Sequence, residues 1–362
     1  MLLPGTDHAA VATQARVEKD LIAAGHAKPR KEFGRKKLLG IIHDYAEKSR
    51  GTILSQIRSM GTSCDWSRLA YTIDEPRSAA VIAMFKKMYD DGLIYRGYRV
   101  VNWSVAGQST CSDDELVHIE RDATVYTFKY SNDFPIPIAT TRPETKLGDT
   151  AVAVHPDDKR YAVYVGKTFT IDVGAAQPLV IKVVADPSVD PAFGTGAVGV
   201  TPAHSMIDFE MKERHELELV QVIGTDGKMT NEAGTAYAGL PVLEARKKFV
   251  TWLTKEKLMI KQEEVTQNVA TSDRFGDIIE LLPMLQWFVA VKKEIPGRGK
   301  TLKDLMREAG EEIEIQPDRY KKLYYQWIDN LRDWCISRQV WWGHRIPVWY
   351  KGNDIHVGEA PS

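Results

Sequence analysis

Residues Val125–Val154 read VYTFKYSNDFPIPIATTRPETKLGDTAVAV. Two runs rich in β-branched and aromatic residues, VYTFKY and IPIATT, precede a polar stretch, and a third, TAVAV, follows it. Turn-forming Asn, Asp, Pro and Gly separate them, the pattern of short strands joined by tight connections. FTIDV and LVIKVVA continue the pattern downstream. The segment from about 122 to 270 is therefore predicted to be β-rich, with helical stretches only near 205–216 and 242–257.

Outward from this block, both flanks carry helical patterns. Leu2 and Leu3 read as the end of a buried strand, Pro4-Gly5 as a turn, and Thr6 or Asp7 as a cap for a helix starting near His8. In RSAAVIAMFKKMYDDG, Val81, Met84, Phe85, Met88 and Tyr89 share one helical face, and Gly92 ends it. From about 277 the chain is predicted to turn helical again. There Tyr320, Leu323, Tyr324, Trp327, Ile328, Leu331 and Cys335 step by three and four. A β-rich block between two helical segments points to an inserted domain in an α/β protein, divided as 1–120, 121–275 and 276–362.

Composition narrows the function classes. At 362 residues the chain is long enough for about two domains. Lys+Arg 48 against Asp+Glu 49 leaves a net charge of -1, which excludes a wholly basic nucleic-acid binder but not a local basic face. No apolar run approaches the roughly 18 residues of a membrane span, and MLLPGTDHAA has no secretory signal pattern. Cys64, Cys111 and Cys335 are widely spaced and form no CxxC, so a disulfide framework is not expected and a reducing cytoplasm fits.

Four stretches carry candidate chemistry. ATTRPET, Ala139–Thr145, gathers three threonines, an arginine and a glutamate without a Cys, Ser or His to act as nucleophile. PGTDHAAVATQ places Thr6, Asp7 and His8 where a strand gives way to a helix, the edge at which α/β sheets bind ligands. Asp7 there is either a helix cap or a partner for an ammonium group. WCISRQVWWGHRIPVWY, Trp334–Tyr350, holds four tryptophans; Trp341-Trp342-Gly343 is either core packing or the wall of an apolar pocket approached closely at Gly343. GTGAVGVTPAHSMIDFE, Gly194–Glu210, leads through His204 to Asp208 on the first turn of a helix. GRGKT at 297–301 is not a phosphate loop, because Glu294 stands where its first glycine belongs.

Taken in order, PGTDHAAVATQ, GTILSQIRSMGTSCDWSR, GLIYRGYRVVNW, ATTRPETKLGDTAVAVHPDD, GTGAVGVTPAH…D and WCISRQVWWGHRIPVWY resemble the bacterial valyl-tRNA synthetases, a family of class I aminoacyl-tRNA synthetases, over nearly the whole chain. The resemblance implies a split Rossmann core interrupted by a β-rich editing (connective polypeptide) domain. It implies a part of a valine--tRNA ligase, cytoplasmic and monomeric, with tRNA(Val), valine and ATP as partners. It implies ATP and Mg²⁺ for the full enzyme but no cofactor in this stretch. The family's His-x-Gly-His and Lys-Met-Ser-Lys-Ser sequences do not occur in these residues, so an internal fragment unable to activate valine alone is expected.

The resemblance also explains the polar loop. An apolar pocket rejects an isostere that adds a hydroxyl by only about 10²-fold, a figure for which the valyl enzymes are themselves the reference case. A second site must hydrolyse threonyl-tRNA. That ester is activated, so a placed water with oxyanion stabilisation suffices, without a Ser–His pair. By resemblance, Thr140, Thr141, Arg142 and Thr145 would line that site, with Thr201 and His204. Asp208 would hold the substrate's α-ammonium. In the synthetic half, Asp7 would meet the amino group of valine and Trp342 its side chain. The family usually carries Lys where Gly199 stands and Asp where Ser205 stands, which implies a weakened or retuned site. Cys111 lacks the partners of a zinc site, so no metal is expected. Two other functions fit the same residues: a free-standing deacylase of mischarged tRNA, and a tRNA-binding fragment without catalysis.

Overall fold

The structure, a computed structural model, describes residues 2–361. The chain divides into two compact units: residues 98–285, which are continuous, and residues 2–97 with 286–361.

The first segment opens on strand β1 (Gly5–Thr6), helices α1 (Ala10–Ala23) and α2 (Pro29–Ser59), strand β2 (Ala70–Tyr71) and helix α3 (Glu75–Asp90). β1 and β2 pair in parallel. Leu2 and Leu3 are exposed and precede the strand, so they do not end a buried one. Neither Thr6 nor Asp7 caps α1: its N-cap is Ala9, in the left-handed region at φ 42, with no side-chain cap. Thr6 is instead held in the parallel pair, and Asp7 is bonded to Thr72. α2 starts with Pro29 at its first turn and kinks at Gly34, whose φ of 68 is not helical. α3 is capped by Asp74, which accepts from the Arg77 N–H at 3.1 Å, and ends before Gly92 at φ 70, where the sequence places its stop. Of its apolar face only Phe85, Met88 and Tyr89 pack inward; Val81 and Met84 are exposed.

Strand β3 (Ile94–Ser104) leads into the 98–285 unit, followed by β4 (Ser109–Cys111), β5 (Leu116–Phe128), β6 (Ile138–Thr140), β7 (Ala151–Val154), β8 (Thr168–Ile171), β9 (Leu179–Ala185) and β10 (Ala197–Val200). Helices α4 (Met206–His215) and α5 (Val242–Lys255) and strand β11 (Met259–Ser272) follow, and strand β12 (Ile279–Val289) leads out of the unit. The β-rich prediction and both helices hold. One sheet runs β10-β7-β9-β8, with β7 and β9 parallel; another runs β11-β5-β6, all antiparallel. β7, AVAV, is central and buried on both faces. Its period of two sends Val152 and Val154 into the main core, with Phe128, Phe134, Ile181 and Phe249. Ala151 and Ala153 face a second core with Val200, Met211 and Leu217. Met211, on α4, packs into that second core.

The expected return to helix at 277 does not occur: residues 279–289 are strand β12. Helices α6 (Leu302–Glu312) and α7 (Arg319–Asn330) follow, then β13 (Trp334–Cys335), β14 (Val348–Lys351) and β15 (Asp354–Val357). α7 stops short of Leu331 and Cys335, and only Ile328 on it is buried. In this second unit Phe85 and Ile94 share a core with Trp287, Val289, Val291 and Val357. Another core joins Val17, Leu38 and Ile42 to Trp341 and Trp342. Among the described residues, no helix is long and apolar enough to cross a membrane.

Candidate active site

In the 98–285 unit, β6 delivers the threonine loop into a buried 3₁₀ segment, Pro143–Gly148. Proline fits the first position because the N–H it lacks would have no partner. The loop is braced from within. Thr140 Oγ1 accepts the Arg142 N–H at 3.0 Å, and Thr145 Oγ1 donates to the Arg142 carbonyl at 2.9 Å. Glu144, fully buried, accepts a two-pronged pair from Arg246 at 2.7 and 2.8 Å. Arg142 stays partly exposed; its Nη2 donates to Glu280 at 2.5 Å and its Nε reaches Glu144 at 3.5 Å. Burial opposes the Arg142 charge, but Glu280 and Glu144 hold its pKa above the ordinary value. Arg142 Nη1 and the Thr141 hydroxyl make no hydrogen bond to the described residues and are half-exposed at the edge of the loop.

The second wall is the end of β10. Thr201 is buried, and its N–H donates to Asp208 Oδ2 at 2.8 Å. Asp208 lies on the first turn of α4, where Ser205 is the N-cap and accepts the Asp208 N–H at 3.2 Å. A carboxylate at this helix position is favoured by the helix dipole. Asp208 Oδ1 accepts no hydrogen bond among the described residues. The two walls meet through Lys146: its Nζ donates to the Gly199 carbonyl at 2.5 Å, to Thr201 Oγ1 at 2.8 Å and to Asp149 Oδ1 at 3.3 Å. Asp149 also accepts the hydroxyls of Thr201 and Tyr130. Burial pushes the Asp149 carboxyl up to about 6, against the opposing pull of Lys146, Thr201 and Tyr130. Burial and then the Asp149 charge push the Tyr130 hydroxyl well above its usual value.

Lys146, Asp149 and Tyr130 are not marked as site residues by the sequence pattern. The available signal was KLGD, two opposite charges three apart beside a strand that is apolar throughout. The Lys146 ammonium comes to the backbone carbonyl of Gly199, at 2.5 Å. Gly199 itself has no room: a Cβ there would lie 2.4 Å from Asp149 Oδ2 and 2.5 Å from the Tyr130 hydroxyl.

His204 belongs to the framework. Its Nδ1–H donates to the Leu281 carbonyl at 3.1 Å, and its Nε2 accepts the N–H groups of Val222 and Ile223 at 3.0 and 3.2 Å. This fixes the Nδ1–H tautomer and leaves no ring nitrogen for a ligand. Burial, then the charges of Arg142 and Lys146, lower its pKa to about 3.

The other unit brings Asp7 and Trp342 to one neighbour, His8. The Thr72 hydroxyl donates to Asp7 Oδ1 at 2.9 Å and contacts His8 Nδ1 at 2.6 Å, while the Trp342 indole N–H donates to the His8 carbonyl at 3.0 Å. Asp7 is largely exposed. Gln14, fully buried on α1, accepts the N–H groups of Trp341 and Trp342 at 2.7 and 3.1 Å. Gly343 has φ 124, and a Cβ there would lie 2.8 Å from Ala10 Cβ, so what comes close to it is helix α1. Among the described residues, no three His, Cys, Asp or Glu side chains are grouped to hold a metal.

The profile of the tRNA synthetases class I (I, L, M and V) matches residues 1–360, and the chain belongs to this family. Within it, the chain is similar to the valine--tRNA ligase of Symbiobacterium thermophilum, 46% identical over 99% of this chain and 38% of the relative. It is likewise similar to the valine--tRNA ligases of Oceanobacillus iheyensis (43%, covering 99% and 40%) and Pseudothermotoga lettingae (44%, covering 99% and 42%). The chain thus spans about two-fifths of the length of these relatives. A solved LeuRS from Agrobacterium radiobacter K84, in a ternary complex with tRNA and LeuAMS, aligns over 77% of this chain and 45% of its own at a TM-score of 0.28 and 15% identity, too distant to carry an argument.

Proposed function

We propose that the chain is part of a valine--tRNA ligase and that its 98–285 unit hydrolyses threonine mischarged onto tRNA(Val). The other unit would contribute to a split Rossmann core, where Asp7 takes the amino group of valine and Trp342 walls its side chain. Synthesis by the whole enzyme would use ATP and Mg²⁺; the family's two ATP-gripping sequences are not in these residues, so no valine-dependent ATP–pyrophosphate exchange is expected from them.

The observation that carries the editing reading is Asp208. One carboxylate oxygen is pinned by the Thr201 N–H, the other accepts no hydrogen bond from the described residues, and Thr201 is itself tied by Lys146 to the segment that follows the threonine loop. A desolvated α-ammonium needs such a partner. Water then attacks the ester carbon, and the ribose oxygen leaves with a proton. The Arg142 guanidinium, with its fixed donors, suits the terminal ribose-phosphate. His204 takes no part as a base, because both its nitrogens are committed.

The test is deacylation of preformed Thr-tRNA(Val) by the 362-residue chain. Asp208→Ala should abolish it. Asp208→Asn can still accept the Thr201 N–H but carries no charge, and should retain only a small part. Thr145→Ala should cost about 1 kcal/mol, the worth of a neutral hydroxyl contact. An Asp208→Ala protein that deacylates as fast as its parent would show that the carboxylate serves only the start of α4.

A further inference from the structure

Lys146 is the most deeply buried lysine of the 98–285 unit, at 6% exposure. An ammonium is tolerated in such a place only when its charge is paired and its donors are satisfied. All three donors are in use: on the Gly199 carbonyl, on Thr201 Oγ1 and on Asp149 Oδ1. A lysine has no acceptor, so Thr201 Oγ1 must accept from it. The Thr201 proton goes to Asp149, whose other oxygen takes the Tyr130 hydroxyl. Thr201 is thereby clamped through its side chain, and the backbone before it through the Gly199 carbonyl. The Thr201 N–H is the group that pins Asp208 Oδ2.

We propose that Lys146 and Asp149 are positioning residues, which act through Thr201 to hold the Asp208 carboxylate with one oxygen open to the substrate's α-ammonium. This rests on the editing reading above. Gly199 is part of the device, because a side chain there would enter the space of Asp149 and Tyr130. Neither Lys146 nor Asp149 need touch the substrate, so their loss should weaken ammonium binding and leave the attack of water nearly untouched.

Lys146→Met alone strands the buried Asp149 carboxylate and is expected to lower stability. The test variant is therefore the neutral pair Lys146→Met with Asp149→Asn, its fold checked by circular dichroism. A second variant, Asp149→Asn alone, is isosteric and keeps the Lys146 bonds to Gly199 and Thr201. Deacylation of Thr-tRNA(Val) is measured on the 362-residue chain, together with binding of an amide-linked, non-hydrolysable threonyl-adenosine. The double variant should raise KM about tenfold, with kcat within about threefold, and Asp149→Asn should show the same KM-only effect at about threefold. Asp208→Ala should cost about tenfold less in the double-variant background than in the parent, because its positioning is already lost.

An unchanged KM, or an Asp208→Ala penalty that multiplies in full, overturns the clamp while the editing reading stands. A double variant that deacylates faster than the parent also overturns it, by showing that the ammonium obstructs the site. A parent that neither binds the analogue nor deacylates removes the editing reading, and the clamp with it.

Discussion

His204 and Asp149 sit in one site and respond to acid in opposite directions. His204 has its pKa lowered from 6.5 to about 3, so the unfolded chain takes up its proton first. Its contribution to stability is complete above pH 6.5 and is lost as pH falls toward 3. Asp149 has its pKa raised from 3.8 to about 6, so the folded chain takes up its proton first. Its contribution is complete below pH 3.8 and is lost as pH rises through 6. Between about pH 4 and 6 each slope is about 1.4 kcal/mol per pH unit, and the two cancel. Removing either partner should expose the other. Urea unfolding of Asp149→Asn across this window should show stability rising with pH more steeply than in the parent, and His204→Asn should show it rising less steeply or falling. Parallel profiles for all three proteins would mean that neither group titrates as its surroundings dictate.

At the scale of elements, β10 shows how one strand end sets the site. Gly199 has ordinary backbone angles; what it provides is space for Asp149 and Tyr130. Gly199→Ala should therefore cost about 2 kcal/mol, as overpacking does, and lower Tm in a thermal melt. An unaltered melting curve would show that Tyr130 can swing aside freely. α1 does a comparable service in the other unit, where buried Gln14 holds the backbone of Trp341 and Trp342. Trp342 packs in a core with Val17, Leu38 and Ile42 and also bonds the carbonyl of His8. In a full-length enzyme Trp342→Ala should raise the KM for valine in ATP–pyrophosphate exchange and lower stability by about 3 kcal/mol. Loss of stability with an unchanged KM would confine Trp342 to packing.

The short strands of the 98–285 unit were legible because their alternation is local: in LVIKVVA, Leu179, Ile181 and Val183 point in while Val180 and Lys182 point out. The threonine loop and Asp208 were legible as polar groups among apolar ones. Lys146 was not, since a lysine reads as a surface residue until the chain brings Gly199 and Thr201, more than fifty positions away, against it. β12 was misread because Glu280, Leu281, Leu282, Met284, Leu285 and Gln286 favour helix when isolated. Burial overrode that propensity, and Pro283 was the signal against a helix. On α7 the periodicity defined an apolar face but not what covers it, and Tyr320, Leu323 and Trp327 stay exposed.

At the scale of the whole molecule, the two units differ in how their cores are assembled. The main core of the 98–285 unit runs from Trp103 to Leu282, entirely within one continuous stretch. The cores of the other unit need both ends of the chain: Phe85 and Ile94 pack with Trp287, Val289 and Val291, and Leu38 and Ile42 with Trp341 and Trp342. Cutting at 98 and 285 should therefore have unequal results. Residues 98–285 expressed alone should fold, with a single cooperative urea transition and amide protection at Val152, Val154, Ile181 and Phe249. They should also retain Thr-tRNA(Val) deacylation, because every residue proposed for that site lies inside them. Residues 1–97 expressed alone should not fold, because they hold only Phe85 and Ile94 of one core's buried residues and lack the Trp341 and Trp342 that cover the other. Mixing them with 286–362 should restore structure only where Phe85 and Trp287 are both present, so Trp287→Ala in the second piece should block the recovery. A molten 98–285 fragment, without cooperative unfolding or amide protection, would show that the continuous unit depends on the rest of the chain, and that its separate core is not sufficient to hold the site together.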